Sequence, residues 1–229
     1  MENRDEWIVT LKKMPLLFFG LLLYSIGILA TLYSDLGMSP WEVFHMGIVN
    51  HTPLTLGQTS QIVGLCILVV SYFVGVVPGL ASIFNMFFIG LFIDLVDNIG
   101  IFKTPSTLIG RFILLATGIL IIGWATYFYL KVELGAGPRD GLMEGLVKKF
   151  KKPVWVIRGA IEITVLTIGY FLGGPVGIGT LITALTIGFS VQLAFKIGKY
   201  DSKTVEHEDL IHMIKRLIPK EEKGTKKDF

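Results

Sequence analysis

Between Met14 and Phe102 the chain carries no lysine or arginine at all. It has a single cysteine, Cys66, and only 17% of its 229 residues are charged. A lone cysteine excludes an intrachain disulfide and a cysteine-rich metal site. Set in an apolar run, Cys66 reads as a small buried hydrophobe. Soluble domains carry roughly 25% charged residues, so the deficit argues against a soluble class. The formal charge of +3 could suggest a nucleic-acid partner. That partner is excluded by placement, because the basic residues flank apolar stretches, where they orient a membrane protein. Also missing are H-E-x-x-H, G-x-S-x-G, a phosphate-binding G-x-x-x-x-G-K and C-x-x-C, the motifs that would announce a metalloprotease, hydrolase, nucleotide or redox site. No enzyme activity and no cofactor are expected.

What is present is hydrophobicity, at 52% of residues with a mean hydropathy of +0.65. A spanning helix needs roughly 20 mostly apolar residues. Six stretches qualify, at 15–33, 58–76, 79–97, 108–130, 155–173 and 176–195. The first is too long for a cleaved signal and is followed by no small-residue cleavage site. Pro78-Gly79 and Gly173-Gly174-Pro175 mark tight hairpins between neighbouring spans. Basic residues collect at the N-terminal segment (Arg4, Lys12, Lys13), in the loop 131–154 and in the tail from Lys196. The loop 34–57 has Asp35 and Glu42 but no basic residue. Six spans with both termini cytoplasmic satisfy these signals, with Lys103 and Arg111 as mild exceptions.

The chain also repeats. Leu36-Gly37-Met38-Ser39-Pro40-Trp41-Glu42 matches Leu134-Gly135-Ala136-Gly137-Pro138-Arg139-Asp140, a shift of 98 residues. The same shift pairs Gly20 with Gly118, Gly47 with Gly145, and Tyr72-Phe73-Val74-Gly75 with Tyr170-Phe171-Leu172-Gly173. Three spans per unit is an odd number, so the second unit must enter from the opposite face, the inverted-repeat plan of secondary transporters. The expected fold is an all-α, polytopic transmembrane bundle of six spans in two inverted three-helix repeats. Its parts are a cytoplasmic N-terminal segment (1–13), a first repeat (14–103), a second repeat (104–199) and a cytoplasmic tail (200–229). In the tail, Leu210, Ile211, Ile214, Leu217 and Ile218 share one helical face. An amphipathic helix over 204–218 is expected, lying on the membrane surface or packed under the bundle, followed by a disordered end from Glu221 to Phe229.

After the first span of each unit the motif starts a short helix, near 40–50 and 138–150. About a dozen residues rise roughly 16 Å, too little to cross a bilayer, so each helix lies at the interface or enters as a half-helix. Ser39 is a suitable N-cap, Pro40 suits the first helical position, and Glu42 completes a capping box. Gly137, Pro138 and Asp140 repeat the pattern, and Gly37 and Gly135 supply the turns. Trp41, Phe44 and Ile48 form an apolar stripe, matched by Leu142, Leu146 and Phe150. Capping alone accounts for Glu42 and Asp140. The functional reading is that two half-helix starts aim N–H donors and carboxylates at a central site. Arg139, present in one copy only, would meet an anionic group or pair with Asp140.

The ionisable residues within the spans include Asp94, Arg158 and Glu162. Arg158 and Glu162, four apart, form an ion pair in the plain reading. Arg158 and Asp94, near helix ends, would snorkel, while Glu162 lies deeper, about two turns into its span. Asn85 and Thr183 are repeat-related, as are Ser82 with Thr180 and Asp94 with Gln192. Such small polar residues more often join membrane helices than bind substrate. Candidate substrate contacts are therefore Glu42, Arg139, Asp140, Glu162, Asn85 and Thr183. Glu42-x-x-His45 has a di-iron spacing, but Met143 stands where the second copy needs histidine, so no metal site is expected. His51, His207 and His212 read as loop or surface residues.

The tandem Leu-Gly-x-x-Pro motifs resemble those of the YczE/YyaS/YitT-like group of bacterial multi-pass membrane proteins, closest to the YczE-like branch. The resemblance covers residues 14–195. It implies an integral cell-membrane protein and supplies no binding residues. Two functions follow as expectations. One is a small secondary transporter for a small-molecule or ion substrate, which a homodimer would give a fuller vestibule. The other is a membrane regulator or scaffold that recruits a cytoplasmic partner through Lys148-Lys149-Phe150-Lys151-Lys152 and the tail. A polar cavity between the repeats favours the first; a dry interior favours the second.

Overall fold

The computed structural model describes residues 2–200 and 208–217, which are helical and contain no strand. The helices are α1 (Glu2–Tyr33), α2 (Pro40–Val49), α3 (Leu56–Phe73), α4 (Leu80–Ile99), α5 (Leu108–Leu130), α6 (Pro138–Phe150), α7 (Val154–Phe171), α8 (Ile178–Ile197) and α9 (Leu210–Leu217). Six of them, α1 from Ile8 onward, α3, α4, α5, α7 and α8, are long and apolar enough to cross a membrane. Helix α1 runs without a break through Pro15, so the N-terminal basic segment continues the first span. The starts of α2, α3 and α4, shifted by 98 residues, are those of α6, α7 and α8.

At the centre, α1 packs on α4 and α5, and α5 on α8. Leu17, Leu21, Ile28, Leu29, Ile89, Ile93 and Tyr129 form the main core there. The outward faces are apolar as well. Cys66 is on one of them and is exposed, contrary to the buried position expected of it. In a spanning helix hydropathy does not separate a core face from a lipid face, since both must exclude unsatisfied polar groups.

Each motif loop is tied to the far half of the chain. The Gly179 N–H donates to Leu36 O at 2.6 Å, and the Ala81 N–H donates to Leu134 O at 2.8 Å. Gly37 and Gly135 hold φ of 104° and 125°, a region open to glycine. A Cβ on either would also lie 2.6 Å from Gly177 N or 2.7 Å from Gly79 Cα. The short helices exchange partners in the same manner: α2 packs on α7, and α6 on α3.

Two details depart from expectation. Asp94 does not snorkel; it accepts from Thr55 Oγ1 at 2.6 Å and from the Gly57 N–H at 3.0 Å, fastening α4 to the first turn of α3. Arg111, the exception in the charge pattern, meets Asp35 at 2.8 Å and is thereby neutralised. The tail helix α9 packs under the bundle, with Met213 buried, the Leu210 N–H donating to Pro78 O at 3.1 Å and the Glu208 N–H to Glu133 O at 3.0 Å. The remaining tail expectations, for 204–207, Ile218 and the stretch from Glu221 to Phe229, lie outside the described residues.

The two halves differ in one respect. Helices α3 and α4 pack along their length, with Gly57 against Gly90 and Gln61 Nε2 donating to Phe87 O at 2.8 Å. Their counterparts α7 and α8 do not pack on each other.

Candidate functional site at the meeting of the short helices

Helices α2 and α6 begin next to each other inside the bundle. Ser39 and Gly137 precede the first turns in extended conformation, and Pro40 and Pro138 open the helices. Proline suits this position because its missing N–H would have had no intrahelical partner. Across the gap between the two starts, Arg139 Nη2 donates to Glu42 Oε1 at 2.9 Å. The Glu42 side chain is 5% exposed and that of Arg139 29%. The guanidinium lies 4.8 Å from the Trp41 ring centroid, a cation–π contact that strengthens where water is scarce.

This pairing corrects the capping box expected at Ser39 and Glu42. Ser39 makes no side-chain cap hydrogen bond, and Glu42 turns to Arg139 instead. A cap is worth about 1 kcal/mol, whereas an unpaired buried charge costs about 3–5 kcal/mol, so the ion pair wins. Nor does Arg139 take Asp140 as its salt-bridge partner. Asp140 Oδ2 accepts from Tyr129 Oη at 3.1 Å. On α7, Arg158 Nε meets Glu162 Oε1 at 3.0 Å, as their spacing indicated.

These groups surround a cavity of about 150 Å³ lined by Trp41, His45, Asn85, Tyr129, Arg139, Asp140, Arg158, Glu162 and Thr183. Helices from both halves supply its walls. Two polar atoms of its lining residues, His45 Nε2 and Thr183 Oγ1, are fully buried without a hydrogen-bond partner. Buried polar atoms are nearly always paired, so these two are exceptions beside the cavity. Among the described residues no group of three His, Cys, Asp or Glu is placed to hold a metal.

A model of a family of unknown function, DUF6198, matches residues 11–196. An uncharacterised protein of Haemophilus influenzae is 36% identical over 191 residues, covering 83% of this chain and 87% of the relative. The uncharacterised membrane protein YczE of Bacillus subtilis is 36% identical over 179 residues, covering 77% and 82%. The uncharacterised protein YyaS of the same organism is 27% identical over 184 residues, covering 78% and 90%. The chain belongs to DUF6198. It is an integral membrane protein of an uncharacterised family, similar to YczE. No solved structure matches it.

In this DUF6198 chain the sequence-derived candidates largely converge. Arg139, Asp140, Glu162, Asn85 and Thr183 line the cavity, and Glu42 is bonded to one of its walls. Ser82 and Thr180 serve the backbone instead, accepting from the Gly79 and Gly177 N–H groups. His45, Tyr24 and Tyr129 were not singled out as site residues, yet all three line the cavity. For His45 a signal existed, since it follows Glu42 by three residues on the same helical face. The tyrosines sit in apolar spans where nothing marks them. Below the cavity a larger recess of about 1000 Å³ reaches the α9 end, lined by Lys13, Glu133, Glu144, Lys148, Asp209 and His212, with Gly137 on the walls of both.

Proposed function

We propose that this protein is a small secondary transporter of the cell membrane whose substrate, a small zwitterion, binds between two inverted three-helix repeats. The observation that carries the reading is the meeting of the α2 and α6 starts, bridged by Arg139 and Glu42, at a cavity with unpaired His45 Nε2 and Thr183 Oγ1. Several features support the inverted relation: the common shift of the helix starts, the exchanged hydrogen bonds of Leu36 and Leu134, and the exchanged packing of α2 and α6.

The balance of charge suits a zwitterion. Glu42, Asp140 and Glu162 bring three carboxylates and Arg139 and Arg158 two guanidiniums. The N-terminal ends of α2 and α6 each add about half a positive charge, so neither sign dominates. With no nucleotide motif, the driving force would be an ion or proton gradient. The basic segments around Lys13, Lys148 and the tail would face the cytoplasm, which makes the larger recess an inward vestibule.

The reading is tested by thermal unfolding of the purified protein against a panel of small zwitterions, beside cationic and anionic analogues of the same size. A zwitterion should raise the midpoint for wild type and lose its effect in Glu162→Gln and Thr183→Val. If no compound shifts the midpoint, the transport reading falls and a scaffold working through the basic run of α6 takes its place.

A further inference from the structure

We propose that the gap between α7 and α8 is a side entrance through which a zwitterionic amphiphile places its amine-bearing head group in the central cavity while its hydrocarbon tail stays in lipid. This rests on the cavity being a binding site, and it names the class of substrate.

The packing of the bundle forms a ring: α8 on α5, α5 on α1, α1 on α4, α4 on α3, α3 on α2, and α2 on α7. The ring is broken between α7 and α8, and no hydrogen bond among the described residues crosses that break. The cavity reaches it from within, for Arg158, Ile161 and Glu162 line one side and Thr183, Ala184 and Ile187 the other. Gly159 on α7 and Gly188 on α8 face open space. Gly188 takes the place that Gly90 holds in the closed α3–α4 seam, and Gly159 the place of Gln61. A Cβ on Gly159 or Gly188 would have no heavy atom within 4 Å, whereas one on Gly90 would meet Gly57 O.

The chemistry at the break suits neither plain lipid nor plain water. Outside it, Ile163, Leu181 and Leu185 are 67%, 59% and 72% exposed, an apolar surface that accepts a hydrocarbon chain. At its mouth Glu162, midway along α7, is paired with Arg158, which lies one turn nearer the helix start and is 53% exposed. Charged groups at such a depth face a cavity or a polar partner, since hydrocarbon solvates them poorly. An amphiphile satisfies both demands at once. Its amine would meet Asp140 or Glu162, and its acidic group would meet Arg158, all of which line the cavity. A cavity of about 150 Å³ holds such a head group and excludes a fatty-acyl chain, which must therefore leave through the break.

The test places the purified full chain in phosphatidylglycerol vesicles with a trace of phosphatidylethanolamine carrying a photoreactive diazirine on one acyl chain. Parallel vesicles carry phosphatidylglycerol with the same label. On irradiation the ethanolamine label should concentrate on α7 and α8 peptides several-fold over the glycerol label. Excess soluble glycerophosphoethanolamine should displace it, and Gly188→Trp and Ala184→Trp, each checked for unchanged thermal unfolding, should reduce it several-fold. Equal labelling with both head groups, or labelling spread evenly over α3, α4, α7 and α8, overturns the proposal. So does efficient disulfide formation between two copies of a Gly188→Cys, Cys66→Ser variant, which would show a second copy covering the break. If glycerophosphoethanolamine raises the unfolding midpoint while Gly188→Trp leaves the label unchanged, the side entrance fails and the cavity site stands. If it neither raises the midpoint nor displaces the label, the cavity reading fails first.

Discussion

The α3–α4 and α7–α8 pairs occupy corresponding positions 98 residues apart, and they are built from different contacts. In the first, Asp94 caps α3 across the interface, Gln61 reaches a backbone carbonyl, and Gly57 lies against Gly90. In the second, the corresponding residues are Gln192, Gly159, Trp155 and Gly188, and Trp155 is 76% exposed. An indole where its counterpart has a glycine prevents the same close approach. The two halves of the chain thus share helix starts while differing at a handful of residues where one pair of helices packs and the other does not.

The largest expected effect concerns the charges that both halves share. Arg139→Met should lower unfolding stability by about 3–5 kcal/mol, because Glu42 would stay buried without its partner. The double variant Arg139→Met, Glu42→Gln should recover most of that loss, and Asp140→Asn, which keeps a hydrogen bond from Tyr129, should cost only about 1 kcal/mol. Thermal or denaturant unfolding in one detergent measures all three, and a double variant no better than the single would break the pairing argument.

Next comes the contrast between the seams themselves. Gly90→Leu should destabilise by about 1–3 kcal/mol through overpacking, while Gly188→Leu should stay within about 0.5 kcal/mol. Equal effects would mean that α7 and α8 close on each other in solution. A smaller difference separates Asp94→Asn, expected to cost about 1 kcal/mol as a half-buried cap is weakened, from Gln192→Leu, expected to be neutral.

The smallest effect lies at the tail. The His212 backbone N–H donates to Asp209 at 2.7 Å and holds that carboxyl below its usual pKa. A lowered folded-state value stabilises above the unfolded pKa of about 3.9 and is lost as pH falls through the folded value. Protection of the Leu210–Leu217 amides, relative to their intrinsic exchange rate, should therefore fall at acid pH, and Asp209→Asn should remove that pH dependence without touching the two seams.

Much of this was legible in the sequence for a physical reason. Twenty apolar residues in a row can be solvated only by lipid or protein interior, so the six spans follow from hydropathy. The fixed 98-residue shift placed the short helices and brought Asn85 and Thr183 forward as a pair. Other features were not legible. Cys66 shows that apolar character does not tell a lipid-facing position from a core one. Asp94 reads as an ordinary helix-end acid until Thr55 and Gly57 arrive from another helix. Glu42 satisfies a local capping rule and a distant ion pair equally well on paper. Linear sequence determined the six apolar spans and, within a few residues, the starts of the short helices α2 and α6, because those depend on neighbours within one or two turns. Tertiary structure alone decided that Glu42 meets Arg139, that two polar atoms of residues lining the cavity are left unpaired, and that α7 stands apart from α8. Each of these depends on the desolvation and close packing of groups far apart along the chain.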